Sequence, residues 1–163
     1  MRRRAGGNMV IEAALFIPIL VLLIVGMVQF GKITYQYYVL KKIVYAAARQ
    51  LSILQGVNFC DLGNDASAQA ALQFALNDST GAPLIPDLTP NMLVITTACV
   101  TPGDPAAPPA PCDTAACPTV TQRPDYVIIS IPEGYQVRPR IPVIDLQPIL
   151  LRPSVTVPFG GIS

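Results

Sequence analysis

Apolar side chains dominate the beginning of the chain. Residues 13–28 read AALFIPILVLLIVGMV and carry no charge, and Gln29 and Phe30 extend the segment to 18 residues. A helix rises 1.5 Å per residue, so this segment would be about 27 Å long, close to the thickness of a bilayer's hydrocarbon core. The pattern predicts a transmembrane helix.

Basic residues mark one end of this segment. Arg2, Arg3 and Arg4 precede it, and the first lysine after it is Lys32. The excess of positive charge on the cytoplasmic side of membrane helices predicts a cytoplasmic N-terminus and export of everything after about residue 32. A cleaved signal peptide is the alternative, but the run is long for one and no small-x-small cleavage site followed by a turn ends it. We therefore expect a retained anchor.

The helical pattern continues beyond the membrane segment. Residues 30–54 read FGKITYQYYVLKKIVYAAARQLSIL, with apolar side chains at mixed three- and four-residue spacing, as on one face of a helix: Ile33, Tyr37, Leu40, Val44, Ala47, Ala48 and Leu51. One long helix is predicted over residues 9–55, roughly 70 Å in length. Turn-forming residues at 57–64 would end it.

A second, shorter helix is predicted within residues 65–78. Asp65 or Ser67 can cap its N-terminus. Its apolar positions fall on one helical face, and they are Ala68, Ala71, Leu72, Ala75 and Leu76.

The remaining pattern indicates strands. Residues 91–100 and 154–159 are rich in β-branched side chains, and residues 125–131 alternate between two faces, one of them formed by Val127, Ile129 and Ile131. A turn at 132–134 leads into an extended stretch at 135–146, and residues 101–124 form a Pro-rich loop. The fold class is therefore α+β: a long N-terminal transmembrane helix followed by a small antiparallel sheet domain with a short second helix.

Composition changes the functional picture more than the structural one. Charged residues make up 13% of the chain, the net charge is +1 and there is no histidine. This charge gives no field that favours nucleic acid, and the commonest general base and metal ligand is missing. No nucleophile-elbow or phosphate-loop motif occurs. We expect neither an enzyme nor a bound cofactor or metal.

The four cysteines lie on the exported side, at Cys60, Cys99, Cys112 and Cys117. Their spacing does not suit a zinc site, and an oxidising compartment favours disulfides. Three connectivities are possible. We favour Cys112–Cys117 with Cys60–Cys99, and Cys99–Cys117 is the main alternative.

Glu12 stands one position before the apolar run. A carboxylate at the edge of hydrocarbon is costly and needs a partner. Gly7 precedes Asn8, Glu12 is the fifth residue counted from Asn8, and Pro18 follows early in the helix. This arrangement resembles the N-terminus of a type IV prepilin.

The closer resemblance is to the TadE-like family, the pilin-like or pseudopilin proteins of tight-adherence (Flp-type) pili. It covers about the first 50 residues. Two departures occur: Ala14 replaces a usual aromatic residue, and Gln29 stands where an acidic residue is common. The matching positions are Gly7, Val10, Glu12 to Leu15, Pro18, Gly26, Phe30, Gly31 and Ala46 to Arg49.

The resemblance implies how the chain would be processed and assembled. A prepilin peptidase would cut between Gly7 and Asn8, and Glu12 would pair with the new amine of Asn8 on a neighbouring subunit. Pro18 would loosen the helix when subunits leave the bilayer. The chain would then divide into a leader (1–7), the transmembrane and assembly half of the helix (8–31), its exported half (32–56) and a small α+β domain (57–163).

Two functions from different classes follow. In the first, the chain is a structural pilin or minor pilin that leaves the cytoplasmic membrane and joins other pilin subunits in an extracellular filament. In the second, it is a single-pass envelope protein whose exported domain binds a partner without polymerising.

Overall fold

A computed structural model describes residues 6–54, 56–100, 108–112, 124–141 and 144–160. The described residues form a long helix α1, a short helix α2 and eight short strands. Two of these strands were not predicted: one at residues 110–111, inside the predicted Pro-rich loop, and one at residues 149–151. The α+β class and the order of its parts are as predicted.

The long helix α1 spans Gly6–Ile53 and has 48 residues. Its apolar composition and its stripe of spaced apolar residues both favour this state, and Pro18 lies inside it without ending it. The helix ends two residues before the predicted end, and Gly56 follows with a φ of +83°, which a side chain with a Cβ rarely adopts. The turn there takes the chain back toward the helix.

The second helix α2 spans Ala66–Leu76 and begins at the predicted cap, Asp65. One oxygen of Asp65 accepts from the backbone N–H of Ala68 at 2.8 Å, and the other accepts from that of Asn58 at 2.9 Å. The carboxylate therefore fixes both the helix N-terminus and the preceding loop. All five apolar residues of the predicted face are buried.

The main sheet has four antiparallel strands, in the order β2-β1-β3-β8. Their bounds are Val94–Cys99 for β1, Ala110–Pro111 for β2, Tyr126–Ser130 for β3 and Ser154–Pro158 for β8. The central strand β3 buries Val127 and Ile129 while its intervening residues are only half-buried, because alternate side chains of a strand point to opposite faces. A short 3₁₀ turn, Pro90–Met92, leads into β1.

Two smaller ribbons flank this sheet. β4 (Tyr135–Val137) pairs with β7 (Ile149–Leu151), and β5 (Arg140–Ile141) pairs with β6 (Ile144–Asp145). The predicted extended stretch 135–146 is thus broken into three strands. The predicted turn at 132–134 is present, since the N–H of Gly134 donates to the carbonyl of Ile131 at 3.1 Å and Gly134 has a φ of +79°.

The core forms where the sheet and α2 pack on the second half of α1. This half of α1 contributes residues spaced by three and four positions, all at most 1% exposed: Leu40, Ile43, Val44, Ala47, Ala48 and Leu51. The second half of the long helix is therefore part of the globular domain.

The favoured disulfide connectivity is wrong. Cys99 is bonded to Cys112, with Cα atoms 4.9 Å apart, because β2 returns antiparallel beside β1 and places Ala110 opposite Cys99. This bond excludes Cys60–Cys99, Cys112–Cys117 and the alternative Cys99–Cys117. Cys60 is also disulfide-bonded, and Cys117 lies outside the described residues.

Candidate membrane and assembly interface

The first half of α1 projects away from the domain and exposes its apolar side chains. From Met9 to Phe30, fifteen large apolar residues are between 45% and 76% exposed. They point in all directions around the helix axis, as expected of a segment surrounded by lipid or by other helices. By length and composition this helix can cross a membrane.

Glu12 lies near the beginning of this exposed surface. Its side chain is exposed and forms no ion pair with another described residue. Asn8 lies one helical turn before it, and Arg2 to Arg4 lie outside the described residues. Within a single chain the structure therefore gives Glu12 no cationic partner among the described residues, and its pairing with another subunit stays a prediction.

Pro18 lies six residues after Glu12, about 9 Å further along the axis. Proline has no backbone N–H, so the carbonyl of Ala14 loses its usual partner four residues on. The helix nevertheless continues through this position. A helix with one missing backbone hydrogen bond is easier to bend or open locally than one with a complete series.

The domain begins to cover α1 well before its buried stripe. Gln29, Ile33 and Gln36 are half-buried, although the residues beside them in the sequence remain exposed. Residues 136–139 of the domain lie beside these three side chains. The base of the domain thus meets the helix at the outer end of the predicted membrane segment.

Two clefts open at this junction and share Lys32 and Gln36. The first has a volume of about 220 Å³ and a polar lining, formed by Gln29, Lys32, Ile33, Gln36, Gln136, Val137, Arg138 and Pro139. The second has a volume of about 230 Å³ and a more apolar lining, formed by Lys32, Tyr35, Gln36, Val39, Leu84, Ile85 and Pro86.

These clefts were not predicted. Arg138 is more than a hundred residues from Lys32 in the sequence, and no local pattern connects them. Lys32 and Arg138 line the same cleft because β4, which follows the turn at Gly134, leads to the side of the helix.

Tyr135 links this base to the loop after α2. Its hydroxyl donates to the carbonyl of Pro86 at 3.1 Å. Burial, with a smaller contribution from the charge of Asp87, raises the pKa of Tyr135, so the phenol remains a neutral donor at ordinary pH. The tyrosines of α1 differ, since Tyr35 and Tyr38 are each 68% exposed, as expected of aromatic residues at a membrane surface.

The acidic side chains and cysteines in the described part of the chain do not form a cluster suited to a metal ion. No group of three or more Asp, Glu, Cys or His side chains there could hold a metal ion. Two carboxylates of the described residues have a lowered pKa. Hydrogen bonds from backbone N–H groups, first that of Asn58, lower the pKa of Asp65, and the hydroxyl of Thr80 followed by backbone N–H groups of the same turn lowers that of Asp78.

The comparison with known families bears on the helix. The family model for TadE-like proteins matches residues 7–49. Over this segment the chain is similar to TadE-like proteins. The resemblance proposed from Gly7, Glu12 and Pro18 is thereby confirmed over these residues. The comparison with curated proteins and the comparison with solved structures each gave no match.

The TadE-like segment corresponds closely to α1. It begins at Gly7, includes the exposed apolar half with Glu12, and ends at Arg49 within the buried half. The α2 helix and all the strands lie outside the match. The match indicates a connection with the Tad pilus, and the apolar helix is consistent with a membrane anchor in such a protein.

Proposed function

We propose that this chain is a pilin-like subunit, held in the cytoplasmic membrane by the first half of α1 and then assembled with other pilin subunits into a Tad-type filament. The observation that carries the proposal is the TadE-like segment at residues 7–49, whose first half exposes fifteen large apolar side chains. In this role the chain is structural and needs neither a catalytic group nor a cofactor.

The exposed apolar surface needs a partner both in the membrane before assembly and in the filament. Fully burying one large apolar side chain contributes about 1.5–3 kcal/mol. The fifteen residues from Met9 to Phe30 are roughly half exposed or more, so covering them contributes on the order of 10–30 kcal/mol. Lipid can cover them before assembly, and helices of other subunits can cover them in a filament.

Glu12 supplies a reason for specific assembly. Peptidase cleavage between Gly7 and Asn8 would leave a free amine, and Glu12 of another copy can neutralise it within the apolar filament interior. Once both charges are buried, removing one of them leaves the other uncompensated, which costs about 3–5 kcal/mol. In the membrane-inserted monomer, by contrast, Glu12 lies at the cytoplasmic edge and its loss makes insertion easier.

The proposed topology follows from the charges. Arg2 to Arg4 would hold the N-terminus in the cytoplasm, and the domain after Lys32 would be exported. The disulfide Cys99–Cys112 suits an exported, oxidising environment. After cleavage of the leader and release from the bilayer, the subunit would be extracellular as part of the filament.

The test compares Glu12→Ala with Glu133→Ala, a control that removes an exposed carboxylate in the turn of the exported domain. Cells producing each variant are sheared, and the protein is quantified in the membrane and in the sheared extracellular material. We expect Glu12→Ala to remain in the membrane and to be depleted at least tenfold from the sheared material, while Glu133→Ala distributes like the wild type.

Equal recovery of Glu12→Ala and wild type in sheared filaments would refute the pairing role. Wild-type protein confined to the membrane fraction, with none in sheared material, would instead support a single-pass envelope protein that does not polymerise.

A further inference from the structure

The junction cleft lined by Lys32 and Arg138 carries two positive charges at a membrane boundary. Among the described residues that line it there is no carboxylate. Neither cation forms an ion pair with a carboxylate elsewhere in the described part of the chain, and both side chains are exposed. Among the described residues, these two positive charges have no paired carboxylate, and they line a concave site of about 220 Å³.

Its position along the helix relates it to the bilayer. Glu12 and Lys32 are twenty residues apart, which corresponds to about 30 Å along α1 and matches the thickness of a hydrocarbon core. With Glu12 at the cytoplasmic boundary, Lys32 reaches the opposite boundary. Gln36 then lies one helical turn further out, within the headgroup layer.

The lining also contains groups that hydrogen-bond to a headgroup. Gln36 and Gln136 carry carboxamides, and the side-chain oxygen of Gln36 is enclosed with no hydrogen-bond partner. An arginine and a lysine together can hold a phosphate group, because both donate charge-assisted hydrogen bonds to its oxygens.

We propose that this cleft binds the headgroup of an anionic phospholipid in the outer leaflet of the membrane that α1 spans. The phosphate lies between Lys32 and Arg138, and the exposed carboxamide of Gln136 can hydrogen-bond to the hydroxyl groups of a glycerol headgroup. Since Arg138 belongs to the sheet domain and Lys32 to the helix, one lipid holds the base of the domain against the membrane surface. This inference rests on the proposed membrane anchorage.

The test uses the full chain, purified in a non-ionic detergent and titrated in mixed micelles with phosphatidylglycerol or phosphatidylcholine. Thermal unfolding is followed by circular dichroism. We expect phosphatidylglycerol to raise the melting temperature in a saturable manner, and phosphatidylcholine at the same concentration to raise it much less. Inorganic phosphate, titrated without lipid, shows whether a free anion stabilises the protein as well as the lipid does.

A matched pair of variants tests the location. Lys32→Gln with Arg138→Gln removes both charges of the cleft. Lys41→Gln with Lys42→Gln removes the same charge from exposed positions of α1 about 14 Å further from the bilayer. Each cation near an anionic lipid surface raises affinity about fivefold. The cleft variant should therefore bind phosphatidylglycerol about thirtyfold more weakly than the wild type, and the control variant should bind almost normally.

Four results would overturn the proposal, and the first three concern the ligand and the variants. They are equal losses in the two double variants, an equal response to phosphatidylcholine, and full stabilisation by inorganic phosphate alone. A response that depends on protein concentration rather than on lipid would assign the cleft to a second copy of the chain and also contradict it. Membrane anchorage is measured separately by detergent extraction, so loss of the lipid preference in an anchored protein rejects this inference while the proposed function stands.

Discussion

Removal of the first half of α1 should convert the protein from a detergent-requiring assembly into a soluble monomer. The fragment 32–163 loses the exposed apolar surface from Met9 to Phe30 but keeps the buried stripe from Leu40 to Leu51. The lost surface represents on the order of 10–30 kcal/mol of apolar burial. This is at least comparable to the roughly 5–15 kcal/mol that stabilises an ordinary domain, so we expect the full chain to associate or aggregate rather than keep that surface in water.

A soluble fragment must keep the buried stripe from Leu40 to Leu51 in order to fold. Leu40, Ile43, Val44 and Leu51 are at most 1% exposed, and their burial contributes about 6–12 kcal/mol, which is comparable to the whole stability of a small domain. A control fragment, 54–163, lacks the stripe and should fail to fold. The two fragments therefore separate the two halves of one helix into an anchor and a core element.

The assay is size-exclusion chromatography with light scattering, accompanied by circular dichroism and performed without detergent. The account predicts the mass of one chain and a cooperative unfolding transition for 32–163, aggregation of 54–163, and large assemblies or precipitation of the full chain. A full-length chain that is monomeric without detergent would refute both the anchor and the pilin-like role.

Three further predictions concern the exported domain. Leu72→Ala should lower the free energy of unfolding of the 32–163 fragment by about 2–5 kcal/mol, because Leu72 is buried in the core. Phe74→Ala, on the exposed face of the same helix, should change it by less than about 0.5 kcal/mol. Equal effects of the two substitutions in denaturant titrations would contradict the packing. Hydrogen bonds from backbone N–H groups lower the pKa of Asp65 below its ordinary value of 3.8. The stabilisation of the fold by ionised Asp65 is therefore complete above that value and is lost as the pH falls through the lowered pKa of the folded state. Acid should reduce the melting temperature of the wild type slightly more than that of Asp65→Asn. Parallel pH profiles of the two proteins would show that Asp65 does not contribute to acid sensitivity. Non-reducing peptide mapping should join Cys60 to Cys117, the partner that remains in a four-cysteine chain once Cys99–Cys112 has formed, and a Cys60 peptide joined to any other cysteine would contradict this pairing.

Local periodicity made much of the fold predictable. The continuous apolar run and the spaced stripe from Leu40 to Leu51 specify α1, since both are properties of adjacent turns of one helix. The buried face of α2 and the alternation in β3 were correct for the same reason. Asp65 was one of two candidate caps, and the structure selects it because its carboxylate also accepts from Asn58 in the preceding loop.

Features that depend on distant partners were missed. Strand β2 lies in a Pro-rich segment with almost no strand pattern, and pairs because it forms a short edge beside β1, where Pro111 is tolerated. The connectivity Cys99–Cys112 follows from that pairing, which spacing alone did not reveal. The junction of Lys32 with Arg138 likewise arises from the path of β4, and no pattern in either segment indicates the other.

The most direct test of the central claim is N-terminal sequencing of the protein recovered from sheared extracellular filaments. The account predicts that the protein is present in this material and begins at Asn8, because a pilin-like subunit is cleaved after Gly7 before it assembles. A protein found only in the membrane fraction and beginning at Met1 would contradict both the processing and the assembly of this chain as a pilin-like subunit.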